Sequence, residues 1–408
     1  MKMISVLHFL NTLARAGTEE HVLTLLRGLD RSRFRLSLVC TPSVAEKLGP
    51  DVPPDVRMVP LSLRKPTDLV AAATLAKILR EQQVDILHSH QFFGSLFASP
   101  IGWLSRVPVV IETPHLREHW RKGWLKSRFI VDRLAGRFVD RYIAVSEANA
   151  RYLIERKGLP PEKITVIPNG CDLRRFDPNR KAPTGWKRSL RFKEDDRVMV
   201  VLGRLEPQKG HTVLLDALPA VLKKCPDARV VCVGDGGLRP ELERKAERLG
   251  LSDAVRFVGY RAHVEEWLAL ADFTVLPSLF EGLPLAAIES LAAGKPVVAS
   301  AVDGTPEVVV DRHTGLTVPA GDAAALAHAI CRLLREPERC RRFGAAGRRW
   351  VLERYDQRLQ LRRTEALYLS ALEDRGASMT QPAILDEPVT IRRAAQQSNT
   401  QVARSFAS

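Results

Sequence analysis

Short apolar runs alternate with longer stretches of helical periodicity along most of the chain. In the N-terminal half the runs fall at residues 4–9, 35–39, 57–60, 85–87, 109–111, 142–145 and 165–167. They are too short for helices and too uniformly apolar for strands with one wet face, so they predict strands buried on both sides. Helical stretches between them predict parallel βαβ units. Periodicity stops at 177–190, DPNRKAPTGWKRSL, whose Pro, Gly and basic residues predict a linker. It restarts with apolar runs at 198–202, 229–233, 256–258, 273–276 and 296–299, again separated by helices. The pattern thus predicts an α/β protein with one Rossmann-like domain over 1–176 and a second over 191–345. Helical patterns at 323–334 and 338–372 close the fold, the portion over 346–373 forming a C-terminal helical segment. From 374 to 408 the chain is dominated by Pro, Gln, Ser, Thr and Ala without period, and is expected to be disordered.

Composition agrees with two cores. The chain has 408 residues, 45% of them hydrophobic and 27% charged, and a domain usually takes about 100–200 residues. The first apolar run is short and interrupted by His8, so it reads as a strand and not as a secretion signal. The longest uncharged window, 91–105, falls short of the roughly 20 apolar residues a membrane span needs. Six cysteines without C-x-x-C spacing predict reduced thiols, and with the rest a cytoplasmic protein.

Charge adds a partner class. A net +15 and a pI of about 9.8 predict attraction to polyanions. Between 117 and 142, eight Lys and Arg stand against three acids, interleaved with Trp120, Trp124, Phe129, Phe138 and Tyr142. Basic and aromatic residues together suit an anionic membrane surface, placing the protein peripherally on the inner face. The same alternation also suits a solvated amphipathic helix. The chain has no helix-turn-helix, zinc-finger or RNA-binding sheet pattern, so no nucleic acid is expected.

The candidate chemistry centres on 279–294, LFEGLPLAAIESLAAG, where Glu281 and Glu289 flank a turn that leads from a strand into a helix. Pro284 suits a helix start, leaving the amides near Gly282 and Leu283 free to meet an anion. A diphosphate docked there would put Glu281 beside the group it carries and Glu289 beside hydroxyls further along, which is the shape of a nucleotide sugar. A second strand-to-helix junction, GRLEPQKG at 203–210, offers Arg204 and Lys209 as phosphate ligands. Near the N-terminus, Ala16 to Glu19 (AGTE) lies at a third such junction, and Gly17 permits close backbone approach. Histidines gather at His88, His90, His115 and His119, but no H-x3-H helix with a carboxylate accompanies them, so no metal is expected.

The paired glutamates resemble the signature of retaining glycosyltransferases of family four, which have the GT-B fold of two Rossmann-like domains facing across a cleft. GRLEPQKG, VGDGG at 233–237, PNGCD at 168–172 and GTPE at 304–307 resemble further motifs of that family. Residue 16 departs from its paired-glycine loop, since Ala16 stands where a glycine is usual. The resemblance implies a hexosyltransferase that needs no cofactor or metal and moves a hexose from a nucleotide sugar to a lipid-linked or polysaccharide acceptor. It also implies a last helix crossing back to the first domain. His115 and Glu281 would act at the transferred sugar, and Gly17, Arg204, Lys209, Gly282, Leu283 and Glu289 would bind the donor. His90 would lie on the acceptor side. Glu281 is open to two roles, a covalent nucleophile or a ligand of sugar hydroxyls while the leaving phosphate deprotonates the acceptor; the resemblance favours the second. A sugar-nucleotide epimerase of related fold and a non-catalytic polyanion-binding protein are the alternatives. The base of the donor is open, UDP and GDP both fitting.

Overall fold

The structure, a computed structural model, describes residues 3–12, 17–63, 67–115, 117 and 129–377. Seven strands form the first sheet: β1 (Ile4–Leu10), β2 (Phe34–Cys40), β3 (Arg57–Pro60), β4 (Ile86–His90), β5 (Val109–Thr113), β6 (Arg141–Ala144) and β7 (Ile164–Val166). Their order is β3-β2-β1-β4-β5-β6-β7, with every pair parallel. Six more form the second: β8 (Arg197–Leu202), β9 (Ala228–Val233), β10 (Val255–Gly259), β11 (Phe273–Leu276), β12 (Val297–Ser300) and β13 (Gly315–Val318). These run β10-β9-β8-β11-β12-β13, again all parallel. Both sheets are covered on two faces by helices, which explains why β4, β5, β11 and β12 are buried at every position. Each sheet has an apolar cluster on either face, and a further cluster lies at the β6–β7 edge of the first sheet. The expected GT-B architecture is present.

Three differences from the sequence reading have physical reasons. β13 has no apolar run to announce it: Gly315 opens it, and it is a four-residue edge strand paired only with β12. β4 extends beyond the apolar stretch to Ser89 and His90, because polar side chains there face a buried histidine cluster and not solvent. The helical pattern over 338–372 is not continuous. A helix over Pro337–Arg354 ends at Tyr355, and a new one runs over Gln357–Ala377. Between them Asp356 leaves helical geometry to bridge Cys171, with Cys171 N–H donating to Tyr355 O at 2.9 Å and Gln357 N–H to Cys171 O at 3.0 Å.

That break redirects the chain. The helix before it packs on the second sheet's cluster through Val351, while Leu367, Tyr368 and Ala371 of the helix after it are buried in the first. Tyr368 also places its hydroxyl 2.6 Å from His88 Nδ1. Within 177–190, Trp186 lies on Trp267 with ring centroids 4.5 Å apart, so this segment packs on the second core.

Candidate active site

In each sheet the strand order reverses beside the first strand, between β1 and β4 and between β8 and β11, and open parallel sheets bind ligands at the carboxyl ends flanking such points. Here those two edges face each other. Ser146 Oγ donates to Gly282 O at 3.2 Å, and Glu307 accepts from the amides of Glu147 and Ala148 at 3.0 and 2.8 Å. Arg117 Nε reaches Asp303 Oδ1 at 2.7 Å. Contacts from the first domain therefore reach the segments after β11 and β12.

The turn after β11 carries Glu281, which is buried and doubly held. Lys209 Nζ lies 2.6 Å from Glu281 Oε1 and Ser278 Oγ donates to the same oxygen at 2.8 Å. Glu281 N–H donates to Asp303 Oδ2 at 2.9 Å, so Asp303 links this turn to Arg117 of the first domain. Lys209 reaches Glu281 because Gly210 adopts φ +64°, and a Cβ there would stand 1.9 Å from Pro277 O. Only glycine fits both demands. Lys209 is thus paired with the glutamate, whereas the sequence suggested a cation reserved for phosphate. Arg204 is half-buried and, among the described residues, its guanidinium has no ion-pair or hydrogen-bond partner. The turn at 234–238 is bonded to the next residue, Leu205 N–H donating to Asp235 O and Leu238 N–H to Leu205 O, each at 3.0 Å.

The helix after Glu281 spans Leu285–Ala292 with Pro284 as its N-cap. The N–H groups of Gly282 and Leu283 have no partner among the described residues, as an anion site requires. Glu289 lies near the far end of this helix, half-buried. Burial, reinforced by Glu20 and Glu265 and opposed by Arg175, pushes its carboxyl up to about 7. Gly17 opens the helix Gly17–Gly28, facing Leu285 across the cleft; Ala16 lies outside the described residues.

Across the cleft stands a cluster of five buried histidines, His8, His21, His88, His90 and His115. Parallel register places His8 opposite His88 on β1 and β4. His8 Nδ1 and His90 Nε2 are 3.1 Å apart, and His90 Nδ1 and His115 Nε2 are 3.4 Å apart. His88 Nε2 meets Thr113 Oγ1 at 2.7 Å. His21 Nδ1 has Asn169 Oδ1 at 2.8 Å and Gln360 Nε2 at 2.9 Å. Desolvation keeps all five neutral: it lowers His8 to about 3 and His21 to about 4, and holds His88, His90 and His115 well below the usual histidine range. A neutral imidazole can offer a hydrogen bond or a lone pair at the cleft without adding charge.

The structure thus brings together Glu281, Lys209, Gly282 and His115, and places His90 directly behind His115. It keeps Glu289 apart, at the other end of its helix. Sequence reasoning missed His8, His21, Ser278 and Asp303. His8 left one signal, a polar residue inside an otherwise apolar strand, but only the β1–β4 register says what it meets. The grouped histidines also form two sets in which one nitrogen of each ring lies close enough to share one ion, His8/His88/His90 and His21/His90/His115, a grouping that no H-x3-H spacing announces. All six cysteines are buried and unpaired. Trp120 and Trp124 of the basic aromatic stretch lie outside the described residues, while Phe129 and Tyr142 are core. Among the described residues, no helix is long and apolar enough to cross a membrane.

Comparison with known proteins gives the family and supports the fold. The model of "Glycosyl transferases group 1" matches residues 184–350, and that of "Glycosyltransferase Family 4" matches residues 15–175. The D-inositol 3-phosphate glycosyltransferase of Thermobispora bispora is 31% identical over 312 residues, 71% of each chain. The UDP-Gal:alpha-D-GlcNAc-diphosphoundecaprenol alpha-1,3-galactosyltransferase of Escherichia coli is 28% identical over 272 residues, 65% of this chain and 70% of that one. Among solved structures, Anabaena HepE in complex with UDP-glucose superposes with a TM-score of 0.78 at 21% identity, covering 90% of this chain and 100% of that one. With two facing Rossmann-like domains, glycosyltransferase matches over both of them and relatives of this identity, the chain belongs to glycosyltransferase family 4 and is a glycosyltransferase.

Proposed function

We propose that the protein transfers a hexose, with retention at the anomeric carbon, from a UDP-sugar to a lipid-linked saccharide acceptor in envelope or exopolysaccharide assembly. The observation that carries this reading is the single spot where Glu281, pinned by Lys209 and Ser278, adjoins Gly282 and the His115 backbone. A carboxylate, a cation, free amides and a neutral imidazole there answer what transfer requires: hydroxyls to hold, a diphosphate to neutralise and developing positive charge to stabilise. Arg204 and the Gly282 and Leu283 amides take the diphosphate, Lys209 shares itself between diphosphate and Glu281, and Gly17 backs the phosphates from the opposite domain. Glu289 takes the ribose hydroxyls. His115 contacts the sugar, and His90 supports it from the acceptor side. In this reading the leaving phosphate takes the acceptor's proton on the face it departs from, and Glu281 binds hydroxyls. No metal takes part, because Arg204, Lys209 and amide dipoles supply the positive charge.

A UDP donor is favoured because a UDP-Gal enzyme stands among the relatives and a UDP-glucose complex among the structural neighbours. A lipid-linked acceptor fits an exposed apolar patch on the first domain. Trp103, Leu104, Ile130, Val131 and Leu134 are all exposed there, with Arg106, Arg133 and Arg137 around them. Such a patch suits a peripheral anionic membrane face.

The test is to follow transfer from UDP-glucose and UDP-galactose to a polyprenyl-diphosphate N-acetylhexosamine, reading the product's anomeric configuration by proton NMR. An α-linked product that needs acceptor is expected. Conversion of the UDP-sugar without acceptor would make the protein an epimerase, and a β-linked product would end the retaining reading. Flotation with phosphatidylglycerol vesicles should carry the protein up, and Leu134→Glu should weaken that; equal flotation with neutral vesicles would sink the anionic-surface reading.

A further inference from the structure

Glycosyl transfer as described above uses one histidine directly, yet five lie buried together, and two of their nitrogens, His8 Nε2 and His21 Nε2, have no hydrogen-bond partner among the described residues. Burying an imidazole nitrogen unpartnered is costly, so such an atom calls for an explanation. His21, His90 and His115 form a set in which one ring nitrogen of each lies within 4.8 Å of the others. The three rings come from three different elements: the helix Gly17–Gly28, the end of β4 and the residues after β5.

We propose that His21, His90 and His115 form a binding site for one borderline-soft divalent transition metal ion, with Zn²⁺ the reference, and that the ion, when bound, switches transfer off. Two nitrogens on one tetrahedral zinc, each at about 2.0–2.1 Å, stand about 3.4 Å apart. The His90 Nδ1 to His115 Nε2 distance is already 3.4 Å. Closing His21 onto them is a side-chain movement of an ångström or so.

The outer partners are arranged as such sites need. A ligating histidine usually donates its other ring N–H to an acceptor that fixes tautomer and orientation. His21 Nδ1 has Asn169 Oδ1 at 2.8 Å, and donation there leaves Nε2 a bare lone pair. The other tautomer, accepting from Gln360 Nε2 at 2.9 Å, would bury an N–H with nothing to receive it. His90, ligating through Nδ1, keeps Nε2 for His8 Nδ1 at 3.1 Å. No carboxylate joins the set, so the ligands are all neutral imidazoles, a donor set that suits zinc, cobalt, nickel or copper and not magnesium or calcium. The metal would occupy His115 Nε2 and tie the first helix to β4, taking from the cleft the imidazole that the proposed function assigns to the sugar.

The experiment titrates Co²⁺ and Zn²⁺ into the purified, chelator-stripped full chain. One Co²⁺ per chain is expected, giving the visible bands of a tetrahedral site without near-ultraviolet thiolate charge transfer. Long-range ¹H–¹⁵N imidazole spectra should show three rings shifting with Zn²⁺. Changing the exposed His263, His313 and His328 together to Gln should leave that binding intact, and His21→Gln should abolish it. Thiolate bands, no shifted buried ring, or loss of binding in the surface triple variant would overturn the site. Because the spectra read the wild-type chain, they decide even if His21→Gln does not fold. For the switch, Zn²⁺ should abolish transfer and a chelator restore it. Full transfer with the ion bound would refute that half, and absence of transfer in the metal-free chain would count against the function proposed above while leaving the site standing.

Discussion

Gly282→Ala tests whether the contact between the two domains sets the chemistry. Its backbone torsion is open to any residue, so only space is at issue. A Cβ built there would stand 1.9 Å from the carbonyl oxygen of His115, the other catalytic candidate. An ordinary carbon-to-carbonyl approach is about 3.3 Å, so the turn bearing Glu281 and the strand end bearing His115 must separate by about 1.4 Å. The obstacle is backbone, and no rotamer change relieves it. A misplacement of about 1 Å at a reacting centre slows turnover roughly 100-fold, or about 2.7 kcal/mol of barrier. The variant should therefore fold normally, as circular dichroism would show, yet turn over at least about 100-fold more slowly when UDP release is followed at saturating donor and acceptor. Gly17→Ala is the control. A Cβ there meets Leu285 Cδ1 at 3.8 Å, ordinary contact, so its thermal stability should be unchanged and only the donor KM should rise. Wild-type turnover in Gly282→Ala would refute the idea that apposition of Glu281 and His115 is required.

Three further outcomes are expected. Arg204→Ala, which removes a cation with no partner among the described residues, should raise donor KM by about 10- to 100-fold, the worth of one charge-assisted hydrogen bond; an unchanged KM would remove Arg204 from the site. Glu289 has its folded pKa raised to about 7, so its stabilising contribution is complete below the unfolded value near 4.5 and is lost as pH rises through 7. Glu289→Gln should accordingly melt higher than the parent at pH 8 but not at pH 5, and should flatten the fall in donor KM that the parent shows between pH 6 and 8. The buried pair Lys157 Nζ–Asp132 Oδ1 at 3.0 Å should cost about 3–5 kcal/mol when broken by Lys157→Ala and far less in the Lys157→Met/Asp132→Leu double variant, measured by urea unfolding.

The sequence made the strands legible where burial on both faces demanded continuous apolar runs, as in β11 and β12. It hid β13, whose four residues begin with glycine, and it joined two helices because the break at Asp356 depends on pairing with Cys171, 185 positions away in sequence by subtraction. At the site, Glu281, Lys209 and Gly282 were readable because each sits at a strand-to-helix junction where turn chemistry is local. Asp303 and Ser278 were not, since what matters about them is which backbone or carboxylate they reach. The histidine cluster shows the same limit: His88 and His90 lie two positions apart, but His8 and His21 join them only through strand register and helix placement.

The helix Gln357–Ala377 has a consequence for how the protein is made. Its Leu367, Tyr368 and Ala371 complete the core of a domain whose strands end at Val166, so about 200 residues are synthesised before that core can close. The second sheet, whose strands and covering helices are complete by Arg354, has all its parts available earlier. The domain translated first is therefore the one finished last, and until the end of the chain emerges it exposes an apolar groove beside His88, which makes the nascent first half the stage most open to aggregation or chaperone capture.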